Sequence, residues 1–465
     1  MHERLKNTFR ALTVRNYRLF ATGQIVSLLG NWMQVTAQDW LVLRLSHNSP
    51  SALGYVTALQ FFPVLLFTLL GGKLADRFDK RHILLITNST YAVLSAMMGA
   101  LVVSGSISLW MVFCFAAAWG TIGALDAPSR QAFASELVGR DLLPNALALN
   151  SAVFNSARIV GPAIGGLTIA VFGTGTAFVL NAFTFVGPLV ALSRMIPAQL
   201  HRDLAALAKP GEARIRDGLA YVLRRRDLVI PMTLILVAGL FAFNFSVTLP
   251  LLAKNVFHRG AAEFGLLSTF LAVGALLGAL AGSSRRIRPS TWLVSGAAIG
   301  FAVLETILGM SPTFVLTLIL LIPAGFAMIF FAQSANQRVQ MGTDANVRGR
   351  VMALYMLVFM GTTPVGAPVV GWVAEVFGPR TAIWGGGAIT LVVAIVVFAL
   401  EQRRHGVRVR LDRQAMRLTV APVMSTRSAA QVLPAIAAES AVPLEGAMAV
   451  AAATSDSKPA FNRVA

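Results

Sequence analysis

Five polar side chains recur along one apolar run: Gln24, Ser27, Asn31, Gln34 and Gln38. At 100° per residue in a helix they fall within about 80° of one another. Such a stripe cannot face hydrocarbon, so it reads as the wall of a hydrated cavity. Hydrogen bonding between helices is the plainer alternative. Asp39 lies off the stripe, near the end of the run. It has either a proton to exchange or an interface to snorkel to beside Arg44. Arg158 sits in the middle of another apolar run, where an unpaired charge costs several kcal/mol, so an acid, carbonyls or water must meet it. Glu305, within Leu304-Glu305-Thr306, is the isolated acid of the second half and a candidate proton carrier. Glu375 reads as a solvated helix end. No catalytic constellation accompanies these residues, so the chain is not read as an enzyme. The six histidines show no metal-ligand spacing. No Gly-x4-Gly-Lys-Ser/Thr loop is present, which argues against self-contained nucleotide drive. No metal and no cofactor are expected.

These residues need elements that hold them inside a membrane. The 465 residues are 56% hydrophobic and 13% charged, with mean hydropathy +0.69. A soluble domain carries about a quarter charged residues. Crossing a bilayer takes about 20 apolar residues in a helix. Candidate runs lie near 19–43, 53–75, 83–103, 106–125, 146–172, 177–195, 229–252, 263–283, 291–310, 313–334, 351–374 and 381–400. The fold class is therefore all-α integral membrane, with twelve transmembrane helices. The net charge of +19 sits mainly in alternate links. Lys73, Arg77, Lys80 and Arg81 crowd one, and Arg285, Arg286 and Arg288 another, while the opposite links hold Arg44, Lys254, Arg259 and Arg380. That asymmetry predicts both termini in the cytoplasm. It also explains the basic charge without nucleic acid. Residues 1–18 show no removable signal peptide, so the first span would act as the insertion signal. The expected organisation is a cytoplasmic N-terminus over 1–18, a six-helix bundle over 19–195, a central loop over 196–228, a second bundle over 229–400 and a largely disordered cytoplasmic tail over 401–465. Within the central loop, 211–226 reads as either an interfacial amphipathic helix or a solvated linker. Cys114 is the single cysteine and forms no internal disulfide.

The halves repeat. Val160-Gly161-Pro162-Ala163-Ile164-Gly165-Gly166 precedes Val171-Phe172-Gly173, and 205 residues later Val365-Gly366-Ala367-Pro368-Val369-Val370-Gly371 precedes Val376-Phe377-Gly378. A duplicated membrane protein of this kind places its ligand between the halves, which rock to alternate access. The repeat counterpart of Arg158 is Thr363. After the second run comes Gly72-Lys73-Leu74-Ala75-Asp76-Arg77-Phe78-Asp79-Lys80-Arg81. It resembles the signature loop of the major facilitator superfamily, with Asp79 where glycine is usual. Apart from the resemblance, Gly72 allows close helix approach, and Asp76 and Arg77 stand at a cytoplasmic helix end where ion pairs and the helix dipole can latch the two halves as a gate. The resemblance implies that Asp76 faces the region of Arg350 and that Arg77 pairs with Asp126. The run Gly161, Pro162, Gly165, Gly166 resembles the antiporter motif of the superfamily's exporters. Gly30-Asn31-Trp32-Met33-Gln34 and Asn155-Ser156-Ala157-Arg158 are similar to the enterobactin-exporter and macrolide-efflux branch. The family's usual arginine in span four is missing from Phe113–Trp119, so a proton-coupling scheme built on it does not carry over.

The expectation is a multi-pass inner-membrane transporter, monomeric, with a small-molecule substrate and the lipid bilayer as its partners. It would export a small amphipathic molecule, drug-like or siderophore-like, driven by the proton gradient. The rival readings are an uptake permease and a non-transporting sensor or assembly factor.

Overall fold

A computed structural model describes residues 9–201, 215–283, 285, 287–405, 407–412 and 417–422. The chain divides into two units, 1–397 and 398–465. Helices build the first. They are α1 (Arg15–Leu45), α2 (Pro50–Arg77) and α3 (Lys80–Val103), then a long segment, Leu109–Thr184, broken in backbone angle at Gly139 and Gly173. The breaks divide it into α4 (109–138), α5 (140–172) and α6 (from 174, continued by Val186–Ser193). After α7 (Ile215–Arg224) come α8 (Arg226–Phe241), α9 (Phe245–Leu251), α10 (Ala261–Ser283), α11 (Thr291–Met310) and α12 (Phe314–Gly342). α13 (Arg348–Gly361), α14 (Thr363–Phe377) and α15 (Pro379–His405) complete the set. In the second unit, Val407–Asp412 pairs antiparallel with Arg417–Pro422 as β1 and β2. A hairpin thus stands where the sequence suggests a disordered tail; residues 423–465 lie outside the described residues.

Ten stretches among the described residues are long and apolar enough to cross a membrane. α1 is not among them, because Gln24, Asn31 and Gln34 dilute its apolar run. One stretch, Asp141–Ser193, has 53 residues, enough for two crossings at 1.5 Å per residue.

The ends of the helices follow from local chemistry. Ser49 caps α2 ahead of Pro50, its hydroxyl accepting from the Ala52 amide. Asp79 caps α3, accepting from the Arg81 amide at 2.9 Å. So the residue that departs from the signature loop starts a helix. Gly173 and Gly378, 205 positions apart, both adopt left-handed φ (85° and 91°) at equivalent breaks. The repeat read from the letters is therefore a repeat of backbone conformation, which side chains at those positions would strain.

Buried side chains show how the bundles meet. One apolar cluster, with Phe301, Phe331 and Tyr355, lies in the C-terminal bundle apart from Trp40 at its margin. Another, with Tyr17, Phe133, Ala146 and Leu192, belongs to α1, α3, α4, α5 and α6 at the end carrying the basic links. A third joins Leu41 and Leu53 to Leu251 and Val370, so the two bundles pack together at the far end. Glycines make the crossings there. A methyl at Gly166 would stand 3.1 Å from the Gly265 Cα, and one at Gly371 would stand 3.3 Å from the Gly54 Cα. Gly161 meanwhile backs onto Leu29 and Trp32 of α1, as its counterpart Gly366 backs onto Leu240 of α8. Gly278 of α10 packs on Phe326 of α12, a packing role only.

Candidate functional site

A cavity of about 380 Å³ lies between the bundles. Trp32, Asp39 and Arg158 line it from the N-terminal bundle, and Phe264, Met328 and Thr363 from the other. Arg158 and its repeat counterpart thus look into the same space. Asp39 is buried, 5% exposed. It does not pair with Arg44, so snorkelling is not its role in this conformation. The Arg158 guanidinium lies over the Trp32 ring, 5.9 Å from its centroid, and forms no ion pair among the described residues. A buried carboxyl group and a half-buried guanidinium on apolar, aromatic walls provide one group that can exchange a proton and one fixed positive charge.

A second cavity, about 800 Å³, opens in the N-terminal bundle toward the basic end. Gln24, Asn31, Tyr91, Asp126, Arg130 and Phe154 are among its walls. The Phe154 ring meets Trp32 edge to face, centroids 5.9 Å apart. That pair stands between the two cavities.

The polar stripe therefore divides. Gln24 and Asn31 face the second cavity. Ser27 donates to the Gln24 carbonyl at 3.4 Å. Gln34 instead accepts from Ser95 (2.7 Å) and Asn181 (2.5 Å), a buried network joining α1, α3 and α6. Gln38 donates to Gln60 of α2 at 3.1 Å. Helix-to-helix bonding is thus the role of Gln34 and Gln38, and cavity lining that of Gln24 and Asn31. Glu305 lines neither cavity. It is 2% exposed on the face of α11 that turns into the C-terminal core with Ala298, Phe301 and Leu308, which removes it from the site expected of it.

The signature loop is a brace inside the N-terminal bundle. Lys80 and Glu136 form a 2.7 Å ion pair with both side chains below 8% exposed. Arg81 donates to the carbonyls of Leu192 (2.7 Å) and Ser193 (3.2 Å), the unsatisfied end of α6. Asp76 and Arg77 are exposed. Asp126 does not pair with Arg77: it is held by Arg130, one turn along the same helix, at 2.5 and 2.9 Å, and by Thr87 at 2.8 Å. Nothing approaches Gly72; the close crossing falls to Gly71, where a methyl would stand 3.1 Å from the Leu125 Cα. The C-terminal bundle carries a similar clamp, with Asp227 receiving Arg225 (2.8 Å) and Arg288 (2.7 Å). Hydrogen bonding to Asp227 holds the Arg225 guanidinium above its usual range. Glu136 and Arg130 escape sequence reading, since each looks like an ordinary charge in a helix-end segment.

Glu375 is exposed near the end of α14, as the sequence suggests, and it also has partners. Its carboxylate accepts from the Ser49 hydroxyl (2.8 Å) and the Ser51 amide (2.9 Å), capping α2 of the opposite bundle. Nearby, Asn255 donates to the Asn48 carbonyl at 3.1 Å, and the Lys254 ammonium lies 5.0 Å over Trp40, which stacks on Phe264. These contacts close the far end. Losing a cap costs about 1 kcal/mol, which is about fivefold in an equilibrium. Glu375→Ala should therefore raise far-end opening about fivefold. The check is labelling of Thr57→Cys, in a Cys114→Ser background, by an impermeant maleimide added outside cells; an unchanged labelling rate would remove Glu375 from the closure.

Residues 6–429 match the family described as transmembrane secretion effector. Among curated relatives, the chain is 25% identical to the staphyloferrin A transporter of Staphylococcus aureus over 84% of this chain and 99% of that one. It is 28% identical to the multidrug efflux pump Tap of Mycolicibacterium fortuitum, over 81% and 93%. The enterobactin exporter EntS of Escherichia coli is 25% identical, over 72% and 80%. Among solved structures, the nucleoside transporter NupG superposes with a TM-score of 0.67 at 14% identity, covering 83% of this chain and 99% of that one, a likeness of fold alone. With its many apolar helices, two packed bundles and shared central cavity, the chain belongs to the transmembrane secretion effector family, and it is a multi-pass cell-membrane transporter of the major facilitator type.

Proposed function

We propose that the chain is a monomeric twelve-span exporter that moves a small amphipathic molecule outward in exchange for protons, both termini being cytoplasmic. α1, together with division of 141–193 at Gly173, brings the apolar stretches to twelve. The basic links then lie inside, as the charge asymmetry requires, and the closed far end lies outside. The conformation is thus inward-open. The observation that carries the reading is that Asp39 and Arg158 line one cavity walled by both bundles. Substrate enters from the cytoplasm and meets the aromatic walls and Arg158. Rocking of the bundles parts the glycine crossings and opens the far end, where Asp39 takes a proton as substrate leaves. The proton is released inside on return. Relatives named as a drug pump and as siderophore transporters support a drug-like or siderophore-like substrate.

The test uses inverted membrane vesicles with an imposed pH gradient and a panel of uncharged and cationic aromatic compounds. Uptake of at least one compound, coupled to proton efflux, is expected. Movement in the opposite sense would establish an uptake permease, and no flux of any compound would favour a sensor.

A further inference from the structure

We infer that the 800 Å³ cavity of the N-terminal bundle is a second ligand site, separate from the Asp39–Arg158 cavity, built for an uncharged aromatic molecule carrying hydroxyl or amide groups. Its role as the loading site for export rests on the function proposed above; its existence as a binding site does not.

The walls specify the ligand. Asp126 and Arg130 are charged wall residues, and they neutralise each other at 2.5 Å. Thr87 takes up further capacity of the Asp126 carboxylate. No net charge remains there to recruit an ion. Gln24, Asn31, Gln131 and Asn155 supply side-chain amides, each offering both donor and acceptor. The Asn31 Oδ1 is buried and accepts no hydrogen bond in the structure. A buried acceptor without a donor is costly, and turning the half-buried Asn31 amide into the cavity would let a ligand hydroxyl or N–H satisfy it. Tyr91 and Phe154 add aromatic faces.

The partition makes this a separate site. Phe154 belongs to this cavity and Trp32 to the central one, and the two rings meet edge to face. Phe154 is 45% exposed, so it has room to swing. A molecule passing from this cavity into the central one meets this pair. It therefore waits among the amides first, where its hydrogen-bonding groups are read before it reaches the charged cavity.

The experiment uses the full chain in lipid nanodiscs and the probe 4-hydroxybenzanilide, which is uncharged and carries aromatic rings, a phenol and an amide. Equilibrium dialysis should show saturable binding, weakened at least about tenfold by Asn31→Leu and changed less than about twofold by Asp39→Asn with Arg158→Gln. Tetraphenylphosphonium, a permanent cation without donors, should not displace it. As a readout that does not depend on the Asn31 variant folding, Gln131→Cys in a Cys114→Ser background should react with maleimide at least about threefold more slowly when the probe is bound. Absence of binding, binding lost only with Asp39 and Arg158, equal displacement by the cation, or no protection at position 131 would each overturn the assignment. Binding here without proton-driven flux in vesicles would sink the export reading and leave the site standing. Flux with binding confined to the central cavity would do the reverse.

Discussion

Asp39→Asn should cut proton-driven uptake into inverted vesicles about 100-fold, the scale on which a positioned proton-transfer group acts. The substitution keeps the shape of the side chain and removes its exchangeable proton. Asp39 is buried and faces the cavity that both bundles share. On the proposed mechanism a carboxyl group there would face the two sides of the membrane in turn and carry a proton between them, which an amide cannot do. Substrate-for-substrate exchange without a pH gradient needs no proton. It should persist in the variant, separating lost coupling from lost folding. Glu305→Gln is the control: Glu305 lies in the C-terminal core and lines neither cavity, so uptake should stay within about twofold of wild type. If Asp39→Asn retains half the wild-type rate, Asp39 is not the coupling group.

Lys80→Ala and Glu136→Ala should each destabilise the protein by about 3–5 kcal/mol, the cost of stranding one member of a buried ion pair. The pair spans 2.7 Å with both side chains nearly inaccessible. Removing either partner leaves the other charged and enclosed. Replacing both, as Lys80→Met with Glu136→Leu, should recover most of the loss, because apolar residues of similar volume carry no stranded charge. Thermal unfolding of the purified protein, followed by intrinsic fluorescence, measures all three variants. Arg77→Ala should change little in the same assay, since Arg77 is exposed. Equal losses for Lys80→Ala and the double variant would mean that packing, not the ion pair, braces this end.

The helices were legible from hydropathy because a bilayer imposes a length that the letters must honour. α1 was legible only through its flanks and stripe, since Gln24, Asn31 and Gln34 lower its hydropathy. The repeat was legible because Gly173 and Gly378 are constrained by backbone angle and survive in both halves. The site was legible less evenly. Asp39 and Arg158 stood out as charges in apolar runs, yet nothing in a single sequence says that α1 and α5 turn both toward one cavity. Glu305 gave the same signal and faces a packed core instead: facing depends on tertiary rotation of α11, which periodicity does not resolve when a helix is apolar all round. Gln34 and Gln38 looked like cavity walls because the stripe counts polar atoms and not their partners. Glu136 and Glu375 carry closure contacts that only assembled helices reveal.

The glycine crossings at the far end have a bearing on how the transporter switches. Between Gly54 and Gly371, and between Gly166 and Gly265, backbone meets backbone with no side chain to reach across a gap. Dispersion between such surfaces is short-ranged, and a separation of about 0.5–1 Å already forfeits a quarter to a half of it. Long side chains would have stretched and held on through partial opening. The glycine surfaces have no such tether of their own, so their attraction is nearly spent within the first ångström, and reach across this end falls to the Glu375, Asn255 and Lys254 contacts beside them. On the proposed alternating mechanism, the backbone share of the closure would be lost abruptly, at residues that contribute nothing but the absence of a side chain.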